Sequence, residues 1–371
     1  MKKQLSDLKV AIVYDRVNKF GGAERVLLVL HKMFPKAPLF TAVYDQKKAT
    51  WATVFPKVYT SFLQNIPFAK KKNELFGWLM PLAFEQFDFN SYDLVISVTS
   101  EAAKGIITGT NTHHICYMLT PTRYLWSGYD EYFKNQFLRF FSKPVINYLR
   151  WWDKIASKRP DKIIAISTEV KKRIKRYYNR DSEIIFPPVE LPFHDSIQIS
   201  DKDYYLYIGR LVKYKKVDLL IKTFNKLKPR LLIVGVGPEE QKLKAMAGDN
   251  VEFLGFVEDD KLIDVYQNAK AFLMPQEEDF GITAIEAQSF GVPVIAYKSG
   301  GALDTVVDGV TGLYFNSQDV ASLQQAIEKF GTMSFNNSEI KRNAKSFSKK
   351  EFQRKLQRSL VRSYFSGRRW H

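Results

Sequence analysis

Short apolar, β-branched runs alternate with segments of helical spacing from the first residues of the chain. "KVAIVY" (9–14), "DLVISV" (93–98), "HHICYM" (113–118) and "KIIAIS" (162–167) have the length and composition of buried strands. "GGAERVLLVLHKMF" (21–34) and "STEVKKRIKRYY" (167–178) repeat apolar positions at helical intervals. Such alternation predicts a parallel sheet covered by helices on both faces. The pattern breaks at "IIFPPVELPFHDSIQISDKD" (184–203), where paired prolines and then polar residues stop regular structure. It restarts with "YYLYIGR", "VDLLIKTFNKL", "RLLIVGVG", "PEEQKLKAMA", "VEFLGF", "DKLIDVYQNA" and "AFLMP". The expectation is therefore two α/β domains, 1–188 and 189–348, followed by a basic segment of helical pattern, 349–371, packing back towards the first. The charged positions of that segment read most simply as a solvated helix face.

Chemistry concentrates in "EEDFGITAIEAQSFGVPVIAY", Glu277 to Tyr297. Gly281 permits a turn of unusual backbone geometry, Ile282 to Phe290 has helical spacing, and Gly291 and Pro293 close it before a strand. The first amides of that helix, around Gly281 to Ala284, lack partners inside it and suit an anion. Glu278 and Glu286 flank this position instead of filling it, and carboxylates accept hydrogen bonds from hydroxyls. A ligand with an anionic centre and polyols at both ends, a nucleotide diphosphate sugar, reconciles the two; first-turn acids that merely stabilise a helix are the plain alternative.

"YIGRLVKYKK" sets Arg210 and Lys215 directly after a predicted strand, where open α/β sheets bind ligands, and two cations there would neutralise a diphosphate. A basic loop on a basic protein is the competing reading. Gly209 precedes that pair, and Gly237 in "LLIVGVGPEEQKL" lets backbone approach a ligand or simply forms a turn. In "DRVNKFGGAERVLL", Gly21 and Gly22 open a helix after the first strand, either to approach the ligand or only to start the helix.

Net charge changes the picture only by widening the partners: 56 basic minus 39 acidic residues leaves +17, which suits any polyanion. The basic residues are spread along the chain with no basic-aromatic reading surface, which argues against nucleic acid. The single cysteine, Cys116, sits in an apolar run and excludes an internal disulfide. Neither histidines nor acids show metal-ligand spacing, so no metal is expected. No apolar run approaches the roughly 20 residues that cross a bilayer. The expected location is the cytoplasm, with peripheral attachment to the membrane's cytoplasmic face left open. "PFAKKKNELFGWLMPLAFEQF" and "YFKNQFLRFFSKPVINYLRWW" mix cations with Trp78, Phe133, Phe137, Phe140, Phe141, Trp151 and Trp152, a composition suited to an anionic membrane surface or, alternatively, to the first domain's core.

Taken together, "GGAERVLL", "YDLVISVTSEAAKG", "TPTRYLW", "AISTEVKKRI", "FPPVE", "GRLVKYKKVDLLI", "GVGPE" and "EDFGITAIEAQSFGVPVIAYKSGGALDTVVDGVTGLYF" resemble the retaining glycosyltransferases of family 4. These have the GT-B architecture of two facing Rossmann-like domains with parallel sheets and an interdomain cleft. The resemblance implies that Arg210 and Lys215 hold the donor diphosphate, that Glu278 binds donor-sugar hydroxyls, and that Glu286 binds the ribose. Backbone around Phe280, Gly281, Ile282 and Thr283 would meet sugar and phosphates, with Gly21 and Gly22 lining the cleft opposite. Leu119, Thr120, Arg123 and Tyr124 would belong to the acceptor side.

"TPTRYLW" and "EEDFGI" are most similar to mannosyltransferases of bacterial O-antigen and polysaccharide assembly, implying GDP-mannose as donor and a saccharide or lipid-linked saccharide as acceptor. Two positions depart from the pattern: Leu119 stands where the family usually has a histidine contacting the donor sugar, and Lys216 where it often has glycine. A UDP-sugar transferase, a UDP-N-acetylglucosamine epimerase of the same fold and a non-enzymatic polyanion binder are the other readings.

Overall fold

The computed structural model describes residues 5–69, 73–133, 135–191 and 203–367. It divides into two compact units, Met1–Pro188 with Phe352–His371, and Val189–Glu351. The predicted break at 184–203 contains that division, and its stretch 192–202 lies outside the described residues.

The first unit is built on seven parallel strands: β1 (Val10–Tyr14), β2 (Leu39–Thr41), β3 (Val58–Thr60), β4 (Leu94–Thr99), β5 (His113–Met118), β6 (Lys162–Ala165) and β7 (Glu183–Ile184). Their order is β3-β2-β1-β4-β5-β6-β7. Every residue of β1 and β4 is buried, as a sheet covered on both faces requires. β2, β3 and β7 went unseen in the sequence, because runs of two or three residues carry no periodicity.

Helix Thr168–Tyr178 starts where the Ser167 hydroxyl accepts the Val170 amide, and ends on left-handed Asn179 (φ 51°). The basic helix Lys349–Gly367 is amphipathic and not merely solvated: Phe352, Leu356, Leu360 and Tyr364 recur every four residues and are buried. Phe352 meets Tyr117 edge-on at 5.7 Å, and Ser359 donates to Glu183 at 2.7 Å.

The second unit holds six parallel strands: β8 (Tyr204–Ile208), β9 (Arg230–Val234), β10 (Val251–Gly255), β11 (Ala269–Met274), β12 (Val294–Tyr297) and β13 (Gly312–Phe315). Their order is β10-β9-β8-β11-β12-β13. Counted from each unit's own start, the second sheet reads 3-2-1-4-5-6, the doubly wound Rossmann order, and the first reads the same with β7 added at its edge. The chain therefore folds as two Rossmann-like α/β units. In such sheets the ligand crevice lies outside the carboxyl ends of the strands where the order reverses, here β1 and β4 in one unit and β8 and β11 in the other.

Candidate active site

The second unit's reversal point gathers most of the residues singled out in the sequence. β8 ends at Ile208, so Gly209 and Arg210 are the first residues past its carboxyl edge; β11 ends at Met274 and leads through Gln276 to Glu278. Lys215, in the turn Lys213–Lys215, forms an ion pair with Glu278. Glu278 also accepts from Gln276 Nε2 at 2.9 Å. Arg210 is exposed and donates to the Tyr214 hydroxyl at 3.0 Å. A cation and a carboxylate assigned to different parts of a ligand thus hold each other.

Glycines bring the loops this close. A Cβ on Gly235 would sit 1.9 Å from the Gly209 carbonyl oxygen, and one on Gly237 2.2 Å from that of Leu211. Gly209 could not carry a side chain without pressing on the Tyr207 hydroxyl, 2.7 Å from its ideal Cβ. That hydroxyl is buried with no hydrogen-bond partner among the described residues, and burial and the nearby Glu278 charge push its pKa up.

Gly281 adopts φ 95°, which favours glycine, and begins helix Ile282–Ser289 with no side-chain cap. The first-turn amides, including those of Ile282 and Thr283, find no acceptor within the helix. Phe280 turns its ring inward against Phe347 at 5.6 Å, which leaves its backbone to the loop. Glu286, one turn into the helix, accepts from the Tyr266 hydroxyl at 3.1 Å. Lys216 has φ 55°, a left-handed conformation in which glycine would be unstrained.

The remaining candidates lie in the first unit. Gly22 opens helix Gly22–Met33; Gly21 before it is extended at φ −177°, so backbone geometry does not demand glycine there. Thr120, Arg123 and Tyr124 line a cavity of about 430 Å³, whereas Leu119, half-buried at the end of β5, does not. His113 and His114 begin β5; His114 is buried against the Ser97 hydroxyl at 2.8 Å, and burial lowers its pKa to about 3. Cys116 is buried and its thiol is pushed up to about 12 for the same reason. Trp152, counted in the sequence with the interfacial aromatics, is instead core: it is buried and donates to Glu85 at 2.7 Å.

Sequence reasoning missed three side chains here. Asp15, the first residue past β1, is buried and accepts from the Ser100, Ala102 and Ala103 amides at 2.7–2.9 Å and from the Thr99 hydroxyl at 2.9 Å. Glu101, also buried, accepts from the Tyr124 hydroxyl at 2.8 Å and pairs with Arg16 at 2.6 Å. Burial raises its pKa despite that cation. Only the position of Asp15 at a strand's carboxyl edge signalled it, since its partners lie 84 or more residues away.

Residues 192–347 match the family model described as "Glycosyl transferases group 1". The chain is 27% identical over 212 residues to an uncharacterized glycosyltransferase of Methanocaldococcus jannaschii, covering 54% of this chain and 58% of that one. It is 40% identical over 135 residues to the GDP-mannose-dependent monoacylated alpha-(1-6)-phosphatidylinositol monomannoside mannosyltransferase of Corynebacterium glutamicum, covering 32% of this chain and 35% of that one. The matches to the first three curated relatives span 25% to 61% of those relatives' lengths. Among solved structures, Anabaena HepE in complex with UDP superposes with a TM-score of 0.68 at 19% identity, covering 95% of this chain and all of that one. At that identity the likeness concerns the fold.

Proposed function

We propose that the chain is a retaining glycosyltransferase of family 4 that moves a hexose from a nucleotide diphosphate donor to a saccharide or lipid-linked saccharide in cell-surface polysaccharide, lipopolysaccharide or glycolipid assembly. The observation that carries the reading is the second unit's reversal point. There an uncapped helix start, two cations and two flanking carboxylates meet where this sheet order holds nucleotides.

In this reading the diphosphate lies before the amides of Gly281 to Thr283, and Lys215 exchanges Glu278 for phosphate oxygens as Arg210 closes from the exposed side. Glu278, released, accepts hydrogen bonds from donor-sugar hydroxyls, and Glu286 with Tyr266 takes the ribose. The acceptor oxygen bonds to the anomeric carbon on the face from which the diphosphate leaves. The carbon–oxygen bond to phosphate breaks, and a phosphate oxygen takes the acceptor's proton. Fixed positive charge on the departing diphosphate stabilises the transition state, so the proposal assigns no metal and no imidazole to the step. Leu119 is compatible with that chemistry.

GDP-mannose is the proposed donor, in keeping with the Corynebacterium relative's name. The UDP complex of the Anabaena protein favours a UDP-sugar as second choice. Incubation with GDP-mannose, UDP-glucose and UDP-N-acetylglucosamine, followed by product analysis, separates them. Sugar on an acceptor supports transfer and names the donor, whereas a free epimerised nucleotide sugar would replace the proposal with an epimerase.

We also propose a cytoplasmic protein held peripherally on an anionic bilayer. No described helix is long and apolar enough to cross a membrane. On helix Gln136–Ala156, Phe137, Phe140, Phe141, Tyr148 and Trp151 are 46–73% exposed along one face. The same helix carries Arg139, Lys143, Arg150 and Lys154 against the single acid Asp153, which is buried. Flotation with vesicles containing anionic lipid at low salt should carry the protein up. Failure to float would remove the membrane from the proposal.

A further inference from the structure

The first unit's cavity, about 430 Å³, has two unlike walls. One comes from the carboxyl edges of β1, β4 and β5 and is polar: Arg16, Glu101, Thr120 and Arg123, with Lys19 at its margin. Three cations there face one carboxylate. Two polar atoms on this wall, Thr120 Oγ1 and Arg16 Nε, are buried without a hydrogen-bond partner, and Thr120 is only 5% exposed. Buried hydroxyls and guanidinium nitrogens are normally satisfied, so unmet ones on a cavity wall point to a polar ligand. The other wall is apolar and comes from helix Gln136–Ala156 through Val145, Ile146 and Leu149.

Val145 joins these observations. It lines the cavity yet is 44% exposed, and Phe141 and Tyr148, one turn to either side, belong to the exposed apolar face. The apolar wall therefore continues out of the cavity onto the aromatic face of the same helix. A soluble saccharide has no use for such a path, and a free fatty chain has none for three cations.

We infer that this cavity binds a phosphate-bearing lipid. The phosphate meets Arg16, Lys19 and Arg123, hydroxyls of any attached sugar meet Thr120 and Glu101, and the hydrocarbon leaves along Val145 towards the aromatic face. The transferase reading enters only in naming this lipid the acceptor.

The test is calorimetric titration of the full chain with farnesyl phosphate, farnesol and inorganic phosphate, in parallel with GDP and UDP. Farnesyl phosphate should bind at least tenfold more tightly than either fragment. Lys19→Glu and Val145→Asp, both at solvent-accessible side chains, should each weaken it at least tenfold and leave nucleotide binding unchanged. Equal affinity for inorganic phosphate, or unchanged affinity in both variants, would overturn the inference. Nucleotide binding without farnesyl phosphate binding would overturn it and leave the transferase standing. Farnesyl phosphate binding without either nucleotide would uphold the cavity and sink the transferase.

Discussion

At the reversal point of the first sheet, the residue that follows the central strand is Asp15; at the same point of the second sheet it is Gly209. Asp15 is buried and its carboxylate takes the amides of Ser100, Ala102 and Ala103 just beyond β4. The corresponding turn beyond β11 begins its helix at Gly281, which has no side chain of its own to cap it. Both units thus present backbone N–H groups at the carboxyl edge of the sheet, where an anion is favoured. One unit supplies the anion from its own chain and closes the position. The other has Gly209 in place of that carboxylate, near Lys215 and Arg210, and under the proposed function it is there that the diphosphate binds. The first unit's cavity lies past Asp15, on Arg16 and Glu101.

The largest expected effect breaks the open side. Lys215→Ala or Glu278→Ala should lower turnover by about 10²–10³-fold, the usual scale for losing one transition-state charge partner. Circular dichroism should remain native; normal turnover in either variant would contradict its assigned role. On the closed side, Asp15→Ala should destabilise the first unit by about 3 kcal/mol in urea denaturation, because it strands several buried donors at once. Nucleoside diphosphate affinity should not change directly. A loss of affinity without loss of stability would mean that Asp15 meets the ligand.

A pH titration sharpens the contrast. His114, held near 3 by burial, stays neutral in the folded unit while the unfolded chain takes up a proton below about 6.5. The associated stability is fully present above that value and is lost as pH falls towards 3, by about 1.4 kcal/mol per pH unit. His114→Asn should flatten this slope in urea midpoints measured between pH 6.5 and 4.5; an unchanged slope would assign it to other groups. The smallest effect belongs to Lys216, whose left-handed φ of 55° suits glycine. Lys216→Gly should raise the second unit's stability by up to about 1 kcal/mol in the same assay, the relief of the left-handed strain being partly offset by the freer unfolded chain.

Much of the second unit was legible in the sequence, because its signals are local. Strands of five or six residues, the left-handed turn at Gly281 and the helix stop at Gly291 are each written within a few positions. What stayed hidden depends on residues far apart. The Lys215–Glu278 pair spans 63 positions and the Asp15 contacts 84 to 88, so no window of sequence contains both partners. The two-residue β7 and three-residue β2 and β3 are held by their neighbours in the sheet and not by any pattern of their own. Trp151 and Trp152 show a third limit. Neighbours on a helix point about 100° apart, so one is 61% exposed and the other 5%, and aromatic density alone could not say which.

We propose that the second reversal point accepts a diphosphate because it lacks the first unit's carboxylate. Calorimetric titration of GDP and UDP into the native chain, Gly209→Asn and Gly209→Asp tests it, since the two variants are nearly isosteric and differ in charge. The native chain should bind one of the nucleotides, the asparagine variant more weakly, and the aspartate variant at least about tenfold more weakly still, through repulsion of the diphosphate. Equal, measurable binding by the two variants, or no binding by the native chain, would contradict it.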